Sequence, residues 1–210
     1  VTSAGPIQPV TTAVLVERVV QRVVAHDARV RVLVDGAPPT RPGQLADALV
    51  DPLRALGRPV VRVHAEDFLR PASVRFEHGR DDPDAYLEDR LDLRALGREV
   101  LDPFAVTGRY LPTLWDAATD RATRAGYRDA PERAVLVLDG SLLLGRWLDA
   151  ELAVHLTVRA STLARRTPED QRWTLPAFAR YEEEMAPAQV ADVVVHVDDP
   201  RHPAVQVDAR

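Results

Sequence analysis

Short runs of β-branched residues alternate with helical patterns along most of this chain, and that alternation restricts the fold more than any other feature. "VRVLV" (30–34) is followed by "GQLADALVDPLRALG", and "PVVRVH" (59–64) leads through a polar loop into "DPDAYLEDRLDLRALGREVL". "RAVLVLDG" (133–140) is apolar on both faces, as a central parallel strand must be. "AELAVHLTV" and "ADVVVHV" supply two more strands, with the charged helix "LPAFARYEEEM" between them. Strands alternating with helices predict a three-layer α/β domain around a mainly parallel, five-stranded sheet. Gly57 suits a helix C-terminus, and Pro52 should kink or divide its segment.

An amphipathic helix is expected in "TAVLVERVVQRVVAH", where Val14, Val16, Val19, Val20, Val23 and Val24 form a broad stripe. Residues 1–12 read as a loose lead-in and 13–210 as a single domain, which 210 residues are enough to build. A net charge of −5 argues against general nucleic-acid binding. No apolar run is long enough to span a bilayer, and no basic-then-apolar leader opens the chain, so a cytoplasmic location is the expectation. Cysteine is absent, which removes disulfide and thiol chemistry. All 27 basic residues are arginine. No lysine can therefore clamp a phosphate or form a Schiff base. The sequence does not fix an oligomeric state.

In open parallel sheets, ligands sit beyond the carboxyl ends of the strands. Those ends carry Asp35 and Gly36, Glu66 and Asp67, Asp139 and Gly140, and Arg159. Such a rim suits a Mg-nucleotide or an anion. His64, His155 and His196 sit at similar places in three strands and read as strand residues, because their spacing matches no metal motif.

Five segments in order resemble the uridine kinase family of P-loop nucleoside kinases, over residues 28–200: "VRVLVDG", "HAEDFLRP", "GRDDPDAYLEDRLDL", "VLVLDGSLLL" and "FARYEEEMAPAQVADVVVHVD". The resemblance implies the P-loop kinase form of the α/β/α fold, with a lid near residues 159–175. It also implies Mg-ATP as cofactor and γ-phosphate transfer to the 5′-hydroxyl of a pyrimidine nucleoside, a reaction carried by positioning and charge neutralisation. On this reading Glu66, followed by Asp67, stands at the catalytic carboxylate. Gly36, Arg41, Arg159, Arg165 and Arg166 fall on the phosphate-binding parts. Asp81 and Asp84 fall on the sugar-binding stretch, Tyr110 and Trp115 could wall the base, and Asp139 would lie near the metal. Plainer roles compete for the same residues. Asp81 and Asp84 could cap a helix, Glu66 and Asp67 could be solvated, the three lid arginines could line a charged helix face, and Tyr110 and Trp115 could be core.

The loop after the first strand departs from the family. A phosphate loop reads Gly-x-x-x-x-Gly-Lys-[Ser/Thr]. Counting from Gly36, those last three places hold Arg41, Pro42 and Gly43. Such a loop binds phosphate through successive backbone N–H groups, and Pro38, Pro39 and Pro42 have none. Each hydrogen bond to a charged group contributes roughly 1.5–3 kcal/mol. The expectation is a protein descended from a phosphate-binding frame, impaired or inactive as a kinase, that keeps a nucleoside or small-metabolite pocket. An active phosphotransferase using Arg41 and the lid arginines, or a different enzyme reusing the acidic rim, are the alternatives.

Overall fold

Alternate residues of two central strands face opposite layers, and this sets the architecture. The computed structural model describes residues 6–206. In chain order they form β1 (Ile7–Pro9), α1 (Thr12–Val24), β2 (Val30–Gly36), α2 (Pro42–Ala48), α3 (Val50–Ala55) and β3 (Val60–His64). There follow α4 (Ala72–Arg75), α5 (Pro83–Glu88), α6 (Leu93–Ala95) and α7 (Asp102–Thr107). The short strands β4 (Arg109–Tyr110), β5 (Trp115–Asp116), β6 (Arg121–Ala122) and β7 (Arg128–Asp129) come next. The chain then builds β8 (Val135–Gly140), β9 (Leu152–Thr157), α8 (Ala160–Arg166), α9 (Leu175–Met185), α10 (Pro187–Val190), β10 (Val193–His196) and β11 (Ala204–Gln206).

The main sheet has the order β1-β11-β10-β9-β2-β8-β3, and β10, β9, β2, β8 and β3 are mutually parallel. These five are the strands read from the sequence. β1 and β11 add an antiparallel edge. Residues 7–9, expected within a loose lead-in, are therefore an edge strand, registered Ile7 to Gln206 and Pro9 to Ala204. Proline is tolerated there because an edge strand leaves one row of groups unpaired.

Val30, Val32 and Val34 of β2 pack with Val135 and Val137 of β8 against Leu15, Val19, Val23, Leu45, Leu49 and Leu53 of α1–α3. Leu33, Leu136 and Leu138 point the other way, onto Phe68, Leu96, Leu101 and Phe104. Each fully buried leucine contributes about 1.5–3 kcal/mol, so two such layers on one sheet hold the frame firmly.

Two helical patterns are divided, the first as Pro52 implied and the second without a sequence signal. Helix α2 ends at Ala48 and α3 begins at Val50, placing Pro52 in the first turn of α3, where its missing N–H costs nothing. Gly57 closes that segment at φ +73°, and the Arg58 N–H returns to Leu53 O. The pattern 83–101 divides between α5 and α6. Residues 90–92 run beside 68–70, with Arg70 N–H to Arg90 O and Asp92 N–H to Phe68 O, and Asp92 then caps α6. From α6 the helix continues as a π-helical stretch, Leu96–Leu101, into α7. No helix among the described residues is long and apolar enough to cross a membrane.

Candidate functional site

The carboxyl ends of β2, β3, β8 and β9 share one rim, and the loop from β2 to α2 crosses it. After Gly36 the chain makes a 3-10 turn, Pro38–Thr40; Arg41 then adopts the left-handed region (φ 60°, ψ 57°), and α2 starts at Pro42. The counted register places Arg41 where a phosphate loop carries glycine, the residue suited to that conformation. The Thr40 N–H and hydroxyl both donate to Ala37 O, and the Arg41 N–H donates to Pro38 O. Thr40 is buried and folds back over Gly36, where an added Cβ would lie 2.4 Å from Thr40 Oγ1. Of residues 38–42, three are prolines and the other two use their N–H groups within the turn.

Asp139, at the end of β8, is nearly buried, and two side chains from β3 occupy its Oδ1: Arg62 Nη2 at 2.7 Å and His64 Nδ1 at 2.8 Å. Its Oδ2 faces Gly43, where an added Cβ would approach it to 3.0 Å. Arg62 also reaches Asp47 and Val137 O. Among the described residues, no three His, Asp or Glu side chains form a group able to hold a metal ion.

The adjacent acid on the rim is buried completely. Asp35 Oδ2 accepts from Tyr181 OH at 2.9 Å and pairs with His155 Nδ1 at 2.8 Å, while Oδ1 accepts the Leu143 N–H. Tyr181 OH in turn accepts the Leu144 N–H. Burial, the Asp35 charge and the bond to it push the Tyr181 phenol far above its ordinary range. Burial works against a charged His155, but the hydrogen bond to Asp35 and the Glu182 carboxylate beside the ring outweigh it and lift the imidazole to about 9. His64 and His155 lie in β3 and β9 and are also partners of the rim acids.

Beyond β3, Glu66 is exposed and bonded to Arg90, whose guanidinium lies 4.9 Å from the Tyr86 ring centroid. Burial chiefly, with the Asp139 and Glu66 charges, raises the Asp67 carboxyl despite His64 nearby. Tyr86 meets Trp173 edge-on at 5.4 Å and Phe178 at 5.8 Å. Phe76 lies beneath Arg75 and Arg80, at 4.8 and 5.3 Å. Phe76, Tyr86, Trp173, Arg80, Arg90 and Asp81 line a cleft of about 300 Å³. Arg90 thus joins Glu66 to the stretch containing Asp81. Asp82, not Asp81 or Asp84, caps α5 through the Ala85 N–H. Asp84 pairs with Arg180 at 2.9 Å, away from the cleft.

The remaining expected residues lie elsewhere. Tyr110 is a core residue, buried against Phe104. Trp115 is half-buried and its Nε1 donates to Asp120. Arg159 pairs with Asp198, and Arg166 donates to the carbonyls of Val197 and Asp198, so both turn to the end of β10. Among the described residues, Arg41 and Arg165 have no side-chain hydrogen bond or ion pair. Sequence reasoning missed Tyr86, Arg90 and Trp173. The signal for Tyr86 was present, since it closes "DPDAY", while nothing in the spacing marked Trp173.

No protein-family model and no curated protein sequence matches the chain. Solved structures do match in fold. A possible uridine kinase from Bacillus stearothermophilus superposes with a TM-score of 0.71 at 19% identity, covering 85% of this chain and 96% of that one. A candidate fructose transport system kinase from Silicibacter gives 0.61 at 24% identity, with 87% and 90% covered. The D-glycerate 3-kinase of Cryptococcus neoformans gives 0.50 at 13% identity, with 82% and 80% covered. At these identities the likeness is one of fold: this chain has the fold of the P-loop kinases.

Proposed function

We propose that this chain, built on the P-loop kinase fold, is a small-molecule binding protein that does not transfer phosphate from ATP. Its ligand is an aromatic, nucleoside-like metabolite held in the Phe76–Tyr86–Trp173 cleft. The observation that carries this reading is the loop's donor inventory. Residues 38–42 offer no free backbone N–H, no lysine follows, and the Thr40 side chain fills the turn against Gly36. Mg-triphosphate does not fit these residues. A triphosphate needs several inward N–H donors and a point cation, and magnesium needs carboxylate and hydroxyl oxygens. Gly43 stands at the hydroxyl position, and Asp139 Oδ1 is already engaged by Arg62, with His64 Nδ1 beside it.

The cleft supports the second half of the proposal. Edge-on and cationic contacts to Tyr86 preorganise a wall on which a planar base can stack. Asp81 lies at the same mouth, where it can accept from sugar hydroxyls, and Glu66 is held nearby by Arg90. The likeness to a possible uridine kinase makes uridine the first ligand to try. Titration calorimetry tests the reading: uridine or cytidine should bind, and Tyr86→Ala or Trp173→Ala should weaken binding at least tenfold. Tyr110→Phe should leave it unchanged. Unaltered uridine affinity in both aromatic variants would sink the assignment.

A further inference from the structure

A second cavity, of about 400 Å³, opens between the end of β9 and helices α8 and α9. It shares no residue with the aromatic cleft. Leu156, Val158, Leu163, Ala164, Leu175 and Phe178 make its wall almost wholly apolar, and its size falls within the roughly 300–1,000 Å³ typical of small-molecule sites. Two of the few polar side chains on that wall are His155 and Glu182.

His155 is 2% exposed, and its Nδ1 edge is fixed on Asp35. The opposite nitrogen, Nε2, is buried without a hydrogen bond, and Glu182 Oε1 stands 3.4 Å from it, too far for a good bond. A buried donor left in this state costs about 1–3 kcal/mol, and native proteins rarely leave one without a use. Carboxylates on both ring nitrogens favour the imidazolium form, so Nε2 is a donor and Glu182 an acceptor.

We infer that this cavity binds an uncharged molecule with an apolar body and one hydroxyl, the hydroxyl sitting between His155 Nε2 and Glu182 Oε1. Charge selects this chemistry. A carboxylate ligand would face Glu182, and an ammonium ligand would face the buried histidine cation, so either would bring a like charge against the pair. A hydroxyl accepts from Nε2–H and donates to Oε1, satisfying both groups at once. The apolar wall supplies affinity, and the pair supplies specificity.

The test uses the whole chain and three probes of one shape: 2-phenylethanol, phenylacetate and 2-phenylethylamine. Calorimetry and ligand-observed NMR should show 2-phenylethanol binding at least tenfold more tightly than either charged analogue. A shift of the His155 Nε2 resonance should accompany it. Ala164→Trp fills the cavity without touching the histidine pair or the aromatic cleft, and should abolish 2-phenylethanol binding while uridine behaves as in the parent. Glu182→Gln, on an exposed helix face, removes one charge and should improve phenylacetate binding relative to 2-phenylethanol by about tenfold. Equal affinity for the three probes, no binding of any, or undiminished binding in a folded Ala164→Trp variant would overturn the inference. If Ala164→Trp does not fold, the Glu182→Gln preference decides alone.

Discussion

Buried charge occurs at both ends of the parallel sheet, and the two ends neutralise it differently. At the amino end, Arg58 is 1% exposed and gives its guanidinium to three backbone carbonyls, Arg133 O, His26 O and Ala28 O. Burial draws its pKa down, but arginine stays charged in proteins. It ties the turn before β2 to the turn before β8. At the carboxyl end the buried charges are acids, Asp35 and Asp139, and each is met by side-chain cations from neighbouring strands. At the carboxyl end each acid is met from within the sheet, Asp139 by Arg62 and Asp35 by His155.

The sharpest way to break this contrast is to remove Arg58. Arg58→Ala removes the donor of three hydrogen bonds to backbone carbonyls, at roughly 1.5–3 kcal/mol for each bond to a charged group. The expected loss is about 4 kcal/mol in urea unfolding; a loss below about 1 kcal/mol would mean that water replaces the guanidinium freely. Next in size is a pH effect at the other rim. His155 titrates at about 9 when folded against an ordinary 6.5. The folded state thus holds an extra proton between these values, and the contribution is complete below 6.5 and lost as pH rises through 9. Stability should fall by up to about 3 kcal/mol across that window, at 1.36 kcal/mol per pKa unit. His155→Asn should flatten the slope, and a slope surviving in that variant would place the proton elsewhere.

Arg62→Met should cost about 2 kcal/mol, because Asp139 then keeps only His64. Adding Asp139→Asn should recover part of the loss, and a double-mutant cycle measures the coupling. Strict additivity would show that Asp139 does not depend on Arg62. The smallest effect belongs to the loop. Arg41→Gly relieves a left-handed residue and should raise the unfolding midpoint slightly, by about 0.5–1 kcal/mol of stability. A decrease would show that the arginine side chain contributes more than its backbone costs.

The frame was legible in the sequence because its signals are local. Alternating apolar runs marked all five parallel strands, and the donors missing from Pro38, Pro39 and Pro42 could be counted by eye. The edge strands were not legible: three residues ending in Pro9 carry no period, and their pairing depends on β11 nearly two hundred residues away. The break at 90–92 was hidden for a similar reason, since it follows from pairing with 68–70. Within the site, Glu66 and Asp139 could be placed because strand ends announce themselves. Their cations, Arg90 and Arg62, could not, since a partner's identity depends on register and rotamer. His155 shows the cost of reading one strand at a time, for beside Asp35 on β2 it becomes half of a buried ion pair.

The measurement that goes straight to the central claim is calorimetric titration of the protein with Mg-ATP and, separately, with uridine. The predicted result is no saturable heat from Mg-ATP up to millimolar concentrations, with uridine binding measurable. The variant P42K/G43T should stay silent toward Mg-ATP as well, since Pro38 and Pro39 remain and a side chain at 43 meets Asp139. Micromolar binding of Mg-ATP to the unaltered chain would contradict the account, because this loop would then hold a triphosphate without the donors such binding requires.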